Sequence, residues 1–239
     1  MTELLFRTDA YLRECDATVL SSGPEGVLLN RSVFYPQGGG QPGDTGWLRW
    51  AGRDMPVANA IKGSDGAEVL HLPAEGAPLP PPGTDVTVVL DWERRHRLMR
   101  MHTALHLLCS LISGAGVTGG QIGVERSRLD FDLAEPPTKE YLTEWLNTLV
   151  KADHPVTESW ITDAQLDANP SLVRTLSVKP PRGSGQIRLV RIGTEEHPID
   201  LQPCGGTHVR RTGEIGGVTV TKLENKGKQN RRVYLVLEG

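Results

Sequence analysis

Two pairs of residues in this chain carry ligand chemistry at a regular spacing. In MHTALHLL (residues 101–108), His102 and His106 lie four apart, which brings two imidazoles to one face of a helix. In CGGTH (204–208), Cys204 and His208 are again four apart, and the intervening glycines let the thiol turn toward a cleft. A lone histidine on an apolar helix face is most often a packed core residue. Two such pairs together make His102, His106, Cys204 and His208 a set of the kind that holds zinc. The other cysteines and histidines (Cys15, Cys109, His71, His96, His154 and His197) have no comparable spacing and are read as structural. Thr103 stands where the helix of a zinc protease carries its glutamate base, so protease chemistry is disfavoured. Three jobs remain open to the ion. It could activate water or polarise a carbonyl, orient a substrate amine, or close a structural site with four protein ligands. No Asp or Glu accompanies the motif as an obvious base.

For these pairs to meet, a helix and a glycine turn must be brought together by the rest of the chain. Leu98, Met101, Leu105, Leu108 and Ile112 recur at steps of three or four, and Gly114 and Gly116 supply a stop, so the spacing predicts a helix through the histidines. Ahead of it, short apolar runs such as GVLLNRSVFY, GWLRW and DVTVVLDW alternate with Gly, Pro and Asp clusters, the pattern of a small β-barrel. The prolines of GAPLPPPGTDV (76–86) exclude a helix interior there and mark a surface loop. Behind the histidine helix, RLDFDL alternates as a strand. TKEYLTEWLNTLVKA (138–152) reads as a second helix opened by Pro136, Pro137 and Thr138. GQIRLVRIG and GGVTVTKLENKGKQNRRVYLVLE supply at least three more strands. The expected fold is α+β in two domains: a barrel over residues 1–90, then an α/β two-layer domain with the zinc site over 91–239.

Composition narrows the classes. The 239 residues are 38% hydrophobic and 23% charged, which suits an ordinary globular protein. No apolar run reaches the ~18–20 residues of a membrane helix, and MTELLFRTDA lacks the order of a secretion signal. Three scattered cysteines make no disulfide framework and favour a reducing cytoplasm. The net charge of −3 is uneven: residues 170–239 hold 12 Lys and Arg against 6 Asp and Glu. Such a segment suits a polyanionic partner, or is simply a solvated basic face.

The residues also match a family. HTALH followed by CGGTH resembles the editing domain of alanyl-tRNA synthetase and its free-standing relatives, the AlaX trans-editing proteins. FYPQGGGQPGDTG (34–46) resembles their glycine-rich signature, and DWERRHRLMRMHTALHLL (91–108) the run into their zinc helix. GGQIGVERSRLDFDL (119–133) is similar to their Gln-centred segment, and ENKGKQNRR (224–232) to their closing turn. The likeness spans about residues 34–232 in order. With no stretch for an aminoacylation domain and a β-rich N-terminal part present, it implies the medium-sized AlaX type. By that resemblance the chain would hydrolyse mischarged tRNA(Ala), chiefly Ser-tRNA(Ala), with Gly-tRNA(Ala) as the second candidate, and would hold zinc at His102, His106, Cys204 and His208.

The chemistry is coherent. A synthetase pocket built for alanine rejects serine or glycine only ~100-fold, so a second hydrolytic site must supply the rest. If that site pairs with the serine hydroxyl, alanine leaves polar groups buried and unpaired, and a rejection of ~10⁴ becomes attainable. Thr103 and Gln121 are the candidates for reading the hydroxyl, unless Thr103 bonds its own i−4 carbonyl and Gln121 is a loop-capping amide. Gly38, Gly39 and Gly40 either cradle phosphate or the terminal ribose with bare N–H groups, or form a tight inter-strand turn. The motif lacks the Lys-Ser/Thr ending of a nucleotide P-loop, so no ATP site is expected. Lys222, Lys226, Lys228, Arg231 and Arg232 are candidate contacts to an acceptor stem, and Phe34, Tyr35 and Trp47 candidate stacking rings unless they are core. The rivals are a non-catalytic RNA-binding module with structural zinc, and editing of another aminoacyl-tRNA.

Overall fold

Alternation of apolar and polar residues turns the first ninety residues into strands. Along GWLRW and DVTVVL, Leu48, Trp50, Val86, Val88 and Leu90 are buried, and Arg49 and Asp85 are exposed. The computed structural model describes residues 2–64, 66–175 and 185–239, and shows a mostly-β α+β fold. The first strands are β1 (Glu3–Leu4), β2 (Glu14–Gly23), β3 (Gly26–Leu29), β4 (Arg31–Ser32), β5 (Gly46–Trp50), β6 (Arg53–Lys62), β7 (Val69–Pro73) and β8 (Asp85–Leu90). Six of them close a barrel in the order β2-β3-β7-β6-β5-β8, with β8 returning to β2. Val27, Leu29, Phe34, Leu48, Met55 and Val69 fill its core. Closure leaves none of these six strands with an open edge. The proline-rich stretch runs as a loop between β7 and β8, as its composition requires.

The glycine signature is a turn with a buried anchor. Gly38 and Gln41 exchange both backbone hydrogen bonds, at 3.0 Å each, around Gly39 (φ +57°) and Gly40 (φ +82°). Two consecutive positive φ values are what a two-residue hairpin turn demands of its central residues. Four residues on, Asp44 accepts from the Tyr35 N–H at 2.6 Å. Its carboxylate also faces Arg95, whose Nε lies 3.0 Å from both oxygens. The Arg95 guanidinium further donates to the carbonyls of Ala10 (3.0 Å) and Val33 (2.8 Å), and both partners are sealed from solvent. Phe34 and Tyr35 belong to this core rather than to a surface on which bases could stack, while Trp47 is half-buried beneath Arg49.

His71 is the core histidine that its isolation in sequence suggests. Ser32 Oγ lies 2.8 Å from its Nε2, and its Nδ1 donates to the Val27 carbonyl at 3.0 Å. Burial drives its pKa down to about 4 from 6.5, against the raising effect of that carbonyl. The unfolded chain therefore takes up a proton first as pH falls. Stability from this group is whole above about pH 6.5 and is lost progressively down to about pH 4, a span worth roughly 3 kcal/mol. Urea unfolding at pH 7 and pH 4.5 should show a drop that His71→Gln, a side chain that does not titrate, largely removes. Equal drops in the two proteins would refute the assignment.

Helix α1 (Trp92–Leu111) follows. The chain divides into two compact units, Met1–Arg97 and Leu98–Gly239, with the division inside α1. The first turn belongs with the barrel because Arg94 donates to the Gly43 carbonyl (2.8 Å) and Arg95 to Asp44. From Leu98 to Cys109 every helix residue but Arg100 is buried, not only those on the single stripe its spacing suggests.

The second unit adds β9 (Val117–Gln121), β10 (Ser127–Asp132), α2 (Lys139–Lys151), β11 (Val156–Ile161), α3 (Asp163–Asp167), β12 (Ile187–Gly193), β13 (Pro198–Pro203), β14 (Gly217–Asn225) and β15 (Asn230–Glu238). They make two antiparallel sheets, β14-β15-β10-β9 and β11-β12-β13. Thr138 caps α2 by accepting from the Tyr141 N–H, and α2 ties to β14 through Asn147, which donates to the Val218 carbonyl at 2.7 Å. No helix among the described residues is long and apolar enough to cross a membrane.

Candidate metal centre

The four spaced residues converge. One ligand atom from each of His102, His106, Cys204 and His208 lies within 4.8 Å of the others. The Cys204 sulfur is 3.5 Å from His102 Nε2 and 3.3 Å from His208 Nε2. The His102 and His208 rings lie 4.2 Å apart between centroids, and the His106 and His208 rings 4.6 Å apart. The three imidazoles are buried, and Cys204 is partly buried beside an exposed Gly205, so the glycine turn is the side on which the cluster comes nearest to solvent.

Outer partners fix the rings. His106 Nδ1 donates to Asp200 Oδ2 at 2.8 Å, which leaves Nε2 for the cluster. Gln202 Nε2 donates to the same oxygen at 2.9 Å, and Arg174 Nε stands 3.7 Å from the other. His208 Nδ1 is held by Thr103 Oγ1 at 3.1 Å. A carboxylate or hydroxyl on the far nitrogen of a ligand histidine sets tautomer and orientation. Of the two readings the sequence offers for the Thr103 hydroxyl, a substrate contact or a bond to its own i−4 carbonyl, the second is present, and the hydroxyl has three protein partners in all. It donates to the Met99 carbonyl (3.0 Å) and accepts from His208 and from the Val209 N–H (3.3 Å). One donor and two acceptor sites are all a hydroxyl has.

The loop that carries Cys204 is clamped from below. Arg188 NH1 donates to the carbonyls of Cys204 (2.9 Å) and Gly206 (2.8 Å), and its Nε donates to Glu158 at 2.7 Å. Burial acts to raise the Cys204 thiol, but the charges of His102 and His208 and the bonds from His102 and His106 outweigh it and hold the thiol well below its ordinary range. Burial acts against a charged His106, yet Asp200 and Cys204 prevail and push it up to about 10. Burial, then His102, holds His208 well below its usual value. The cluster thus offers a ready thiolate and oriented ring nitrogens, a donor set that fits a divalent zinc-like ion.

Other expected positions lie elsewhere. Gln121 ends β9 on the surface, with Arg128 Nε 3.4 Å from its Oε1. Arg232 grips Asp130 through two 2.7 Å bonds, and Arg231 braces its own hairpin on the carbonyls of Gly227 and Lys228. Lys222 and Lys226 flank Glu224 at 3.2 and 3.6 Å, and Lys228 is exposed at the tip. Gly38, Gly39 and Gly40 sit in the barrel turn. The sequence reading misses Asp200, Gln202, Arg174, Arg188 and Glu158. The first two have a signal in hindsight: in IDLQPC, residues 200, 202 and 204 are polar or ligating at every second position, one face of a strand. Thr118 Oγ1 is a further buried polar atom without a partner among the described residues.

Parts of the chain match models of tRNA synthetases and of their accessory modules. The family described as threonyl and alanyl tRNA synthetase second additional domain matches residues 187–234, and class II (A) tRNA synthetases match residues 9–94. The chain is 36% identical to the alanyl-tRNA editing protein AlaX-M of Methanosarcina acetivorans, over 99% of both chains. It is 35% identical to the AlaX-M of Saccharolobus solfataricus over the whole of both. An alanine–tRNA ligase of Pyrobaculum neutrophilum is 38% identical over 93% of this chain and 25% of its own length. The chain belongs to the AlaX-M family of alanyl-tRNA editing proteins.

Proposed function

We propose that this protein acts in the cytoplasm as a deacylase of mischarged tRNA(Ala), chiefly Ser-tRNA(Ala) with Gly-tRNA(Ala) as the second substrate, at a zinc ion held by His102, His106, Cys204 and His208. The observation that carries the reading is the convergence of these four donors within 4.8 Å in a chain that matches alanyl-tRNA editing proteins from end to end. In the reaction, water oxygen joins the ester carbonyl carbon and the bond to the 3′-terminal ribose breaks. The departing ribose oxygen takes a proton from water. Bound zinc supplies Lewis acidity for such a step.

The chain's own residues do the positioning. Asp200 and Thr103 hold His106 and His208 with Nε2 inward, and Arg188 keeps the Cys204 turn at the solvent edge, where an ester can enter. Gln121 remains the candidate for reading the serine hydroxyl, and the turn of Gly38, Gly39 and Gly40 the candidate for phosphate or the terminal ribose. Lys226 and Lys228 offer exposed charge to phosphates, whereas Arg231 and Arg232 serve mainly to brace the hairpin.

Purified protein should be given Ser-, Gly- and Ala-tRNA(Ala) before and after chelation, with metal content measured alongside. Rapid hydrolysis of the seryl ester, sparing of the alanyl ester by up to ~10⁴, and recovery on adding zinc are expected. RNA binding without turnover would establish the non-catalytic rival. Turnover that survives complete metal removal would refute the role given to zinc, and preference for a non-alanine tRNA would redirect the substrate.

A further inference from the structure

The sheet β11-β12-β13 carries a row of three side chains that the cluster alone does not explain. Trp160 on β11 is the register partner of Arg188 on β12. Arg188 in turn accepts the Cys204 N–H on its carbonyl at 3.2 Å, one step past the Leu189–Pro203 pair. Residues opposite one another across antiparallel strands share a face, so Trp160, Arg188 and Cys204 lie on one face, together with Glu158, Asp200 and Gln202. Two strand spacings separate Trp160 from Cys204, about 10 Å between backbones.

Trp160 differs from the chain's other tryptophans. Trp50 is buried, Trp47 lies under Arg49, Trp92 stacks on His96, and Trp145 meets Tyr141. Among the described residues Trp160 alone is 46% exposed with neither an aromatic ring nor a cation against it. A single exposed aromatic means little by itself. This one is in register with the arginine that holds the metal loop, on the same face of the sheet as Cys204. Arg188 also offsets the charge of Glu158 beside it, so the face does not repel an RNA.

We propose that Trp160 is a stacking platform for a base of the unpaired 3′ end of tRNA, engaged while the aminoacyl ester lies at the cluster. The proposal rests on the deacylase reading for its substrate. An ester at the 3′ terminus is necessarily trailed by unpaired nucleotides, and a platform about two strands from Cys204 is within reach of the first of them. Stacking needs no sequence-specific hydrogen bonds, because every base has a π-face.

The test uses the full chain with zinc and an uncharged acceptor hairpin ending in single-stranded ACCA, its affinity read by fluorescence anisotropy. Trp160→Ala should weaken binding about tenfold, Trp160→Phe should restore most of it, and a blunt-ended hairpin should bind both variants equally. With Ser-tRNA(Ala), KM should rise by a similar factor while kcat and metal content stay unchanged. Unaltered affinity for the ACCA hairpin in Trp160→Ala overturns the platform. So does equal weakening toward the blunt hairpin, or a change in oligomeric state, which would assign Trp160 to contact with a second copy. The hairpin measurement does not depend on turnover, so failure of the deacylase reading would be seen separately, as wild-type protein that leaves Ser-tRNA(Ala) intact.

Discussion

Cys204→Ser is expected to abolish deacylation and to release the metal. The sulfur is the one ligand atom of the four that is not an imidazole nitrogen, and the neighbouring histidines hold its thiol well below the ordinary range. A serine hydroxyl keeps the size of the group but gives up both the charge and the soft donor. Metal affinity should fall by more than the roughly 10–100-fold that loss of an outer partner costs. Asp200→Asn, which removes the carboxylate from His106 Nδ1, should fall within that smaller range. In cobalt-loaded protein the thiolate charge-transfer absorption should vanish with Cys204→Ser and persist in Asp200→Asn. If Cys204→Ser retained one ion per chain and full turnover, the thiolate would have no part in the site.

Asp44→Ala should be the most damaging single change to the barrel unit. It strands Arg95, whose side chain is 0% exposed, without a counter-charge. It also frees the Tyr35 N–H that Asp44 accepts at 2.6 Å. Breaking a buried ion pair from one side costs about 3–5 kcal/mol, enough to consume much of a domain's stability. Replacing both partners, as Asp44→Leu with Arg95→Met, should recover part of the loss, because the uncompensated charge disappears while the Ala10 and Val33 carbonyls lose their donor. Urea midpoints for the two proteins decide the matter: a cost below about 1 kcal/mol for Asp44→Ala would show that the pair is dispensable.

These two cases also mark how far residue order could be read directly. His102, His106, Cys204 and His208 were legible because helix and turn geometry convert a spacing of four into proximity. The barrel was legible because its strands alternate and its turns carry glycine and proline. Thr138 as the start of α2 followed from its capping chemistry. What stayed hidden was long-range. Asp44 and Arg95 are 51 residues apart, and nothing local says that an acidic residue in a glycine turn will face an arginine on a later helix. Strands β11 and β13 were missed because VTESWI and PIDLQP are short and polar, and with β13 went Asp200 and Gln202. Thr103 divides the same way: its bond to the Met99 carbonyl is local and could be read from the helix, whereas its hold on His208 could not, because that ring arrives from a hundred residues away.

The every-second-residue placement of Asp200, Gln202 and Cys204 also constrains how the gene can change. The connection between β12 and β13, Thr194–His197, is exposed and would tolerate insertions on grounds of packing alone. An insertion there that slid β13 by one position would turn all three residues to the opposite side of the sheet, leaving a folded hairpin with no ligand from this strand. A slide of two would keep them on the correct side but carry them about 7 Å along the strand, past the imidazoles they serve. Length variation among descendants of this sequence should therefore be scarce in an outwardly permissive loop, for reasons of frame rather than of space.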